Sequence, residues 1–97
     1  NPEVSSPDVV KVLKERNSKQ VLANFVKQVE SVEKLTKNNL GELMKNVQNE
    51  TKIKGKKLWI PLRYAITLDT EGPDLNLIVD LFGKERCLHL AHIALKF

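Results

Sequence analysis

Cysteine is scarce in this 97-residue chain, since Cys87 is the only one. An internal disulfide is therefore impossible, which fits a reducing compartment. Aromatic residues make up 5% of the chain, and no apolar run approaches the roughly 20 residues of a membrane span. The sequence also opens without the charged-then-apolar pattern of a signal peptide. These absences predict one small cytoplasmic domain with no membrane segment.

Catalytic signatures are missing as well. The chain has four glycines, and none forms a phosphate-cradling loop or a nucleophile elbow. His89 and His92 lie three residues apart, but no nearby group of ligands at zinc spacing accompanies them. Cys87 lacks the surroundings of a reactive nucleophile. We therefore interpret the histidines as surface or part-buried helix residues and predict no catalytic, cofactor-binding or metal-binding site in this chain.

Positive charge is the feature that the chain has in excess, with a formal net charge of +4. Between residues 51 and 68 there is no acidic residue, whereas the same stretch contains Lys52, Lys54, Lys56, Lys57 and Arg63. Trp59 and Pro61 lie within this stretch, and a predicted turn at residues 69–73 follows it. Such a segment can bind the phosphates and unstacked bases of a nucleic acid, or it can be an ordinary solvated connection.

Apolar residues recur at the spacing of amphipathic helices along most of the chain. We predict an all-α, compact bundle of about six helices, at residues 7–16, 19–34, 37–50, 57–68, 74–82 and 84–96, with no strand. The predicted core faces of helices two to four are Val21, Leu22, Phe25, Val26, Val29, Val32, Leu40, Leu43, Met44, Val47, Leu58, Leu62, Ala65 and Ile66. Arg63 lies off this apolar face and is expected to reach solvent or a ligand.

Capping and turn residues predict where the helices begin and end. Ser6 is a good N-cap for the first helix, and Thr36 for the third. Asn17 and Ser18 are expected to separate the first two helices. Pro61 fits the fourth helix only in or just after its first turn, where backbone donors are unpaired.

The fifth predicted helix is apolar nearly all round, which predicts burial on several sides. Gly83 follows it at a position where glycine commonly ends a helix. Residues 1–5 are expected to be a loose leader. Since the chain starts at Asn1 without Met, we expect it to be a piece of a longer protein.

Four ordered segments carry a family resemblance. They are Thr36-Lys37-Asn38-Asn39-Leu40, then Lys54-Gly55-Lys56 with Pro61-Leu62-Arg63, then Gly72-Pro73-Asp74-Leu75, then Leu81-Phe82-Gly83-Lys84-Glu85-Arg86. In order and spacing these segments resemble the C-terminal part of bacterial-type glutamyl-tRNA synthetases. The resemblance covers about residues 6–95, which is almost the whole chain.

The resemblance implies a helical, C-terminal anticodon-binding subdomain over residues 1–97, with halves at about 6–51 and 57–97. The parent enzyme would attach glutamate to tRNA(Glu) using ATP with Mg²⁺, and this chain would recognise the anticodon loop as a monomer. Neither ATP-site motif of the family is present, so the fragment itself is expected to need no cofactor. Whether the parent also charges tRNA(Gln) stays open. The alternative is a non-catalytic helical protein-interaction domain.

The same resemblance implies the site residues. In the family, the arginine of the Pro-Leu-Arg step and the Gly-Pro-x-Leu turn contact the anticodon loop, which implies roles for Arg63, Gly72, Pro73 and Leu75. A planar guanidinium can stack on bases and hydrogen-bond to their edges. The lysines of the basic segment, Lys54, Lys56 and Lys57, would bind phosphates without choosing a sequence.

Three features of the segment leave the details of this site open. Trp59 falls where the family has an aromatic residue, and it could be either a core residue or a base-stacking one. Leu68 stands where the family has a glycine. Asp69 and Glu71 add negative charge beside the proposed reading turn, where an anionic RNA would disfavour it.

Overall fold

The computed structural model describes residues 7–69 and 72–97, and no strand occurs in those two ranges. The helices are α1 (Pro7–Leu13), α2 (Arg16–Glu30), α3 (Leu40–Thr51), α4 (Lys56–Thr67) and α5 (Leu75–Leu95). Gly83 interrupts α5 with φ of 83° and ψ of 175°. Because α5 thus consists of two helical segments, the predicted all-α bundle of about six helices is confirmed.

Helix α2 lies at the centre of the bundle and contacts each of the other four helices. The predicted apolar face within α2 is buried, and so are the predicted faces of α3 and α4. The half-buried Val32 lies beyond α2, which ends at Glu30 rather than at residue 34 as predicted. The radius of gyration is 12.1 Å, close to the roughly 12.5 Å expected for a compact domain of this length. The amphipathic pattern therefore identified the core of three helices correctly.

The predicted break between the first two helices was misplaced. Helix α1 ends at Leu13 rather than residue 16, and α2 already begins at Arg16, so Asn17 and Ser18 are helical. Asn and Ser favour helix starts as well as helix ends. Here they occupy the first turn of α2, and Ser18 is buried.

The third helix begins at Leu40, three residues later than predicted, because a polar turn precedes it. The Asn39 side chain accepts a hydrogen bond from the Thr36 backbone N–H at 2.9 Å. The Thr36 hydroxyl in turn accepts one from the Asn38 N–H at 3.1 Å. Thr36 therefore caps a turn rather than the helix itself, as side chains of this kind often do.

Pro61 lies one residue further into its helix than predicted, still just after the first turn. With Gly55 as the N-cap, α4 starts at Lys56 and Pro61 is its sixth residue. A proline there removes the one hydrogen bond that would reach the carbonyl of residue 57. Because Lys57 is exposed, water can satisfy that carbonyl and the helix continues.

The expectation that the first half of α5 is buried on several sides was wrong. Leu75 and Val79 are buried, but Leu77 is 56% exposed and Leu81 is 81% exposed. Helix α5 packs against α2 and α4, so its remaining side faces solvent. An all-round apolar sequence therefore did not imply burial on all sides.

Long-range polar contacts attach α5 to the rest of the bundle. On either side of Gly83, the Asp80 carboxylate accepts from the Lys37 N–H at 3.0 Å, and the Lys84 ammonium donates to the Val32 carbonyl at 2.7 Å. At the far end of α5, the Lys19 ammonium donates to the Leu95 carbonyl at 2.8 Å. Lysines at such positions satisfy carbonyls that helix ends leave unpaired.

Several sequence-based expectations lie outside the described residues, namely the leader at residues 1–5, the Ser6 cap, and Thr70 and Glu71 within the turn. The division into halves at about 6–51 and 57–97 stays a prediction. Within the described ranges, no helix is both long and apolar enough to cross a membrane.

Candidate nucleic-acid interface

The basic segment forms the junction between α3 and α4. Lys52 adopts a left-handed conformation with φ of 64° and closes α3 by donating its N–H to the Gln48 carbonyl at 2.8 Å. Gly55, with φ of 68°, then directs the chain into α4. The predicted phosphate-binding residues Lys54, Lys56 and Lys57 are all exposed. Helix α4 has no acidic residue in its first turn, so this end of the helix is strongly positive.

Trp59 and Arg63 lie one turn apart on α4 and are thus neighbours on its surface. Trp59 is 36% exposed, whereas Leu58 and Leu62 occupy the core. Trp59 is thus not fully enclosed in the core, and base stacking by its indole stays a prediction. Arg63 is half-buried and off the apolar face, as predicted.

Arg63 is joined to the turn before α5. Its Nη1 atom donates a hydrogen bond to the Pro73 carbonyl at 3.1 Å. The same atom would lie 3.6 Å from a Cβ atom built on Gly72. Gly72, Pro73 and Asp74 are exposed, so the turn is accessible from solvent, and the guanidinium lies in contact with it.

The structure therefore brings together one part of the predicted site. Arg63, Gly72, Pro73 and Leu75 are adjacent, although the Leu75 side chain is mostly buried, with 6% exposed. The lysines lie at the start of α4, about 10 Å from Arg63 along the helix axis at 1.5 Å per residue. The arginine–turn pair and the lysines are thus separate parts of one helix surface.

A cleft of about 310 Å³ opens between α4 and the start of α5. Its lining residues are Trp59, Ile60, Arg63, Asp74, Leu75 and Asn76. We call it the Trp59 cleft. Its lining combines one aromatic and two aliphatic side chains with a guanidinium, a carboxylate and an amide, so apolar surface and a few polar groups converge on one cleft, as is common in binding sites.

Asp74 and Asn76 are lining residues that the sequence-based site did not include. The Asp74 carboxylate caps α5 by accepting from the Asn76 N–H at 2.9 Å and from the Asn76 Nδ2 atom at 3.3 Å. An aspartate directly before an apolar helical run is a recognisable N-cap signal. The predicted helix at residues 74–82 already placed both residues beside the turn, and this signal could have added them to the predicted site.

Leu68 is the position at which this chain has a leucine in place of the family's glycine. It ends α4 in a left-handed conformation, with φ of 58°, and donates its N–H to the Tyr64 carbonyl at 2.8 Å. Glycine adopts this conformation at low cost, and a side chain makes it less favourable. The left-handed end of α4 therefore forms even though leucine replaces the family's glycine.

His89, His92 and Cys87 are the residues for which the sequence predicted no catalytic or metal-binding role. His89 and His92 are exposed. Burial raises the pKa of the Cys87 thiol to about 11, and the charge of Arg86 opposes this only in part. Across residues 7–69 and 72–97, no group of three or more His, Cys, Asp or Glu side chains could hold a metal ion.

Comparison with known proteins defines the class. A family model described as "Anticodon binding domain" matches residues 1–90. The chain therefore belongs to the anticodon binding domain family. No solved structure matches it.

Relatives of the chain include glutamate–tRNA ligases. The chain is 42% identical over 77 residues to the glutamate–tRNA ligase of Bacillus subtilis (strain 168), which covers 79% of this chain and 16% of that protein. It is 36% identical over 92 residues to the ligase of Limosilactobacillus fermentum, covering 95% of this chain and 18% of the relative. The resemblance to glutamyl-tRNA synthetases is confirmed. The chain spans only 16–18% of the length of these two relatives.

Proposed function

We propose that this chain is the anticodon-reading end of a glutamate–tRNA ligase and that it binds the anticodon loop of tRNA(Glu). The observation that carries the proposal is the Arg63–Pro73 contact at 3.1 Å, which holds a guanidinium of the basic helix α4 beside the exposed turn before α5. Unpaired loop bases are recognised by stacking and by hydrogen bonds to their edges, and an oriented guanidinium can do both.

The exposed lysines at the start of α4 supply the second part of the proposed interface. Lys54, Lys56 and Lys57 would neutralise phosphates on either side of the loop, which strengthens binding without selecting a sequence. Gly72, Pro73 and Leu75 would shape the surface around Arg63. In this proposal Arg63 and the turn recognise bases, whereas the lysines attract RNA of any sequence.

The remainder of the proposed ligase would carry the chemistry. That enzyme would join glutamate to tRNA with ATP and Mg²⁺ in the cytoplasm, and we propose that it acts as a monomer. None of the residues of this chain is assigned to the ATP site.

Binding of tRNA(Glu) transcripts to the chain tests the proposal. We expect the affinity to fall steeply with salt, with each phosphate contact adding roughly 0.7 to 0.9 to the log–log slope. Changing the anticodon bases should weaken binding further, whereas changing the acceptor stem should not. An affinity that is indifferent to the anticodon would refute the proposal.

A second candidate function, a helical protein-interaction domain, is favoured by one observation. Leu77 and Leu81 lie four residues apart on the same exposed face of α5, and exposed apolar pairs of this kind occur at protein interfaces. In that case the lysines would serve solubility only. A salt-independent response to tRNA, or no binding at all, would favour this candidate.

A further inference from the structure

The Trp59 cleft is more specific in its chemistry than a positively charged surface. Trp59, Ile60 and Leu75 give it apolar walls, and the Asp74 carboxylate stands among its lining groups. A carboxylate disfavours a phosphate at close range, whereas apolar and aromatic walls favour an uncharged ring. Lys56 and Lys57, which are proposed to bind phosphates, precede Trp59 by three and two residues on α4 and are not among the groups that line the cleft. An uncharged planar group therefore suits the cleft better than a phosphate does.

Trp59 supplies the stacking surface. It is one of five large hydrophobic side chains that are exposed among the described residues, and the only aromatic one of them that lines this cleft. Every nucleobase has a flat face, so stacking on an aromatic ring contributes affinity with little dependence on sequence. Arg63, one turn further along α4, lies on the same side of the helix and can extend that surface.

Asn76 supplies a restrained side-chain amide that can form hydrogen bonds with the edge of a base. Its Nδ2 atom donates to the Asp74 carboxylate, which also accepts the Asn76 backbone N–H. This contact restrains the side-chain amide while leaving its Oδ1 acceptor and one N–H donor for another partner. An amide presents a donor beside an acceptor, and the edges of nucleobases do the same. Asn76 can thus distinguish bases, which Trp59 alone cannot.

We propose that the Trp59 cleft is a nucleobase slot in which Trp59 stacks on one unpaired base of the bound RNA and Asn76 hydrogen-bonds to the edge of that base. Arg63 also lines the slot, and its guanidinium donates to the Pro73 carbonyl at 3.1 Å. This inference rests on the proposed function, since it assigns two further residues to the same RNA-binding surface. It gives Trp59 the role of a stacking residue and Asn76 the role of a specificity-determining residue.

The single tryptophan of the chain provides the first test. Titration with a tRNA(Glu) transcript should quench the fluorescence of Trp59, because a stacked base lies directly on the indole. The matched control is the double variant W59F/L81W, which moves the reporter to a residue that is 81% exposed and lies outside the cleft. Its fluorescence should not change when RNA binds.

Affinity measurements with variants provide the second test. Trp59→Ala should weaken binding about tenfold for every anticodon sequence, and Trp59→Phe should retain most of the affinity, as expected for stacking. Asn76→Ala should instead reduce the difference in affinity between transcripts that differ at one loop position. Circular dichroism of each variant establishes that the helices are intact.

The outcomes separate this inference from the function on which it rests. If the chain binds tRNA with anticodon dependence but Trp59 is not quenched and Trp59→Ala binds normally, the slot is wrong and the proposed function stands. If the chain does not bind tRNA, both fail. If Asn76→Ala weakens all transcripts equally, Asn76 is a general contact and its specificity role is refuted.

Discussion

The Arg63 guanidinium is fixed to the Pro73 carbonyl by a hydrogen bond of 3.1 Å between residues ten positions apart. This contact holds the end of α4 against the turn before α5. One Nη1 donor is used by the turn, and the other guanidinium donors can serve a ligand. Arg63 therefore links α4 to the turn, and the same guanidinium is proposed to bind a base.

The first prediction concerns Arg63→Ala. If Arg63 reads a base, the variant should bind tRNA(Glu) about 1–3 kcal/mol more weakly and should discriminate less between anticodon sequences. Lys54→Ala is the comparison, since loss of a phosphate contact should weaken all sequences alike and lower the salt slope by roughly 0.9. Equal behaviour of the two variants in a filter-binding assay would remove Arg63 from the reading site.

The same change can be examined in a full-length glutamate–tRNA ligase that contains this domain. Arg63→Ala should lower tRNA charging, while ATP-dependent activation of glutamate should be much less affected, because activation is assigned to the rest of the enzyme. Pyrophosphate exchange and aminoacylation assays measure the two steps separately. Unchanged aminoacylation would argue against an anticodon contact by this residue.

The second prediction compares two glycines. Gly83 has φ of 83° and ψ of 175°, a region that is essentially restricted to glycine, so Gly83→Ala should cost about 1–3 kcal/mol of stability. Gly41 is helical, and Gly41→Ala should stabilise by about 0.5–1 kcal/mol. A Cβ at either position meets no atom within 4 Å, so backbone conformation alone should decide the sign. Urea denaturation of both variants measures the change in stability. If Gly83→Ala is stabilising, residue 83 does not have this glycine-restricted conformation in solution.

The third prediction concerns the pH dependence that Glu50 contributes. Hydrogen bonds from Asn24, Lys27 and Gln28 lower the pKa of its carboxyl from about 4.5 to about 2. Because the pKa is lower in the folded state, Glu50 stabilises the fold above about pH 4.5, and this contribution is lost as the pH falls towards 2.

Thermal denaturation at several pH values tests the Glu50 contribution. Glu50→Gln should be less stable than the parent at pH 7, and the difference in Tm should shrink as the pH falls towards 2. Glu42→Gln, at an exposed position on the same helix, is the matched control and should track the parent. A difference between Glu50→Gln and the parent that stays constant across this range would show that Glu50 acts by another route.

The fourth prediction concerns Ser18. Its Oγ atom is buried, and within the described part of the chain it has no hydrogen-bond partner. An unsatisfied buried hydroxyl costs about 1–3 kcal/mol, so Ser18→Ala should stabilise the domain by about 1 kcal/mol and raise Tm by roughly 4–8 °C.

Ser31→Ala is the control for Ser18→Ala, because the Ser31 hydroxyl does have a partner. It donates to the Gln28 carbonyl at 2.6 Å, so its removal should lower Tm slightly. If Ser18→Ala lowers Tm as well, the Ser18 hydroxyl is satisfied in solution, for example by a water molecule in the adjoining cleft between α1, α2 and α4.

Polar residues near helix ends were the least predictable from sequence. Asn17, Ser18 and Thr36 were each expected to cap or end a helix, yet two of them lie inside α2 and the third caps a turn. Such side chains stabilise helix starts and turns by similar hydrogen bonds. The choice between these outcomes depends on which neighbouring residues are buried, and that information is not local.

The sequence alone determined the helical class, the core faces of α2, α3 and α4, and the break at Gly83, because these depend on the spacing of apolar residues and on backbone preferences within a few positions. Only the tertiary structure decided that Leu77 and Leu81 are exposed, that Trp59 borders a cleft, and that Arg63 contacts Pro73. Those features depend on how α4 and α5 pack against each other. Spacing along a single helix specifies which face is apolar, but it does not specify how much of that face a neighbouring helix covers.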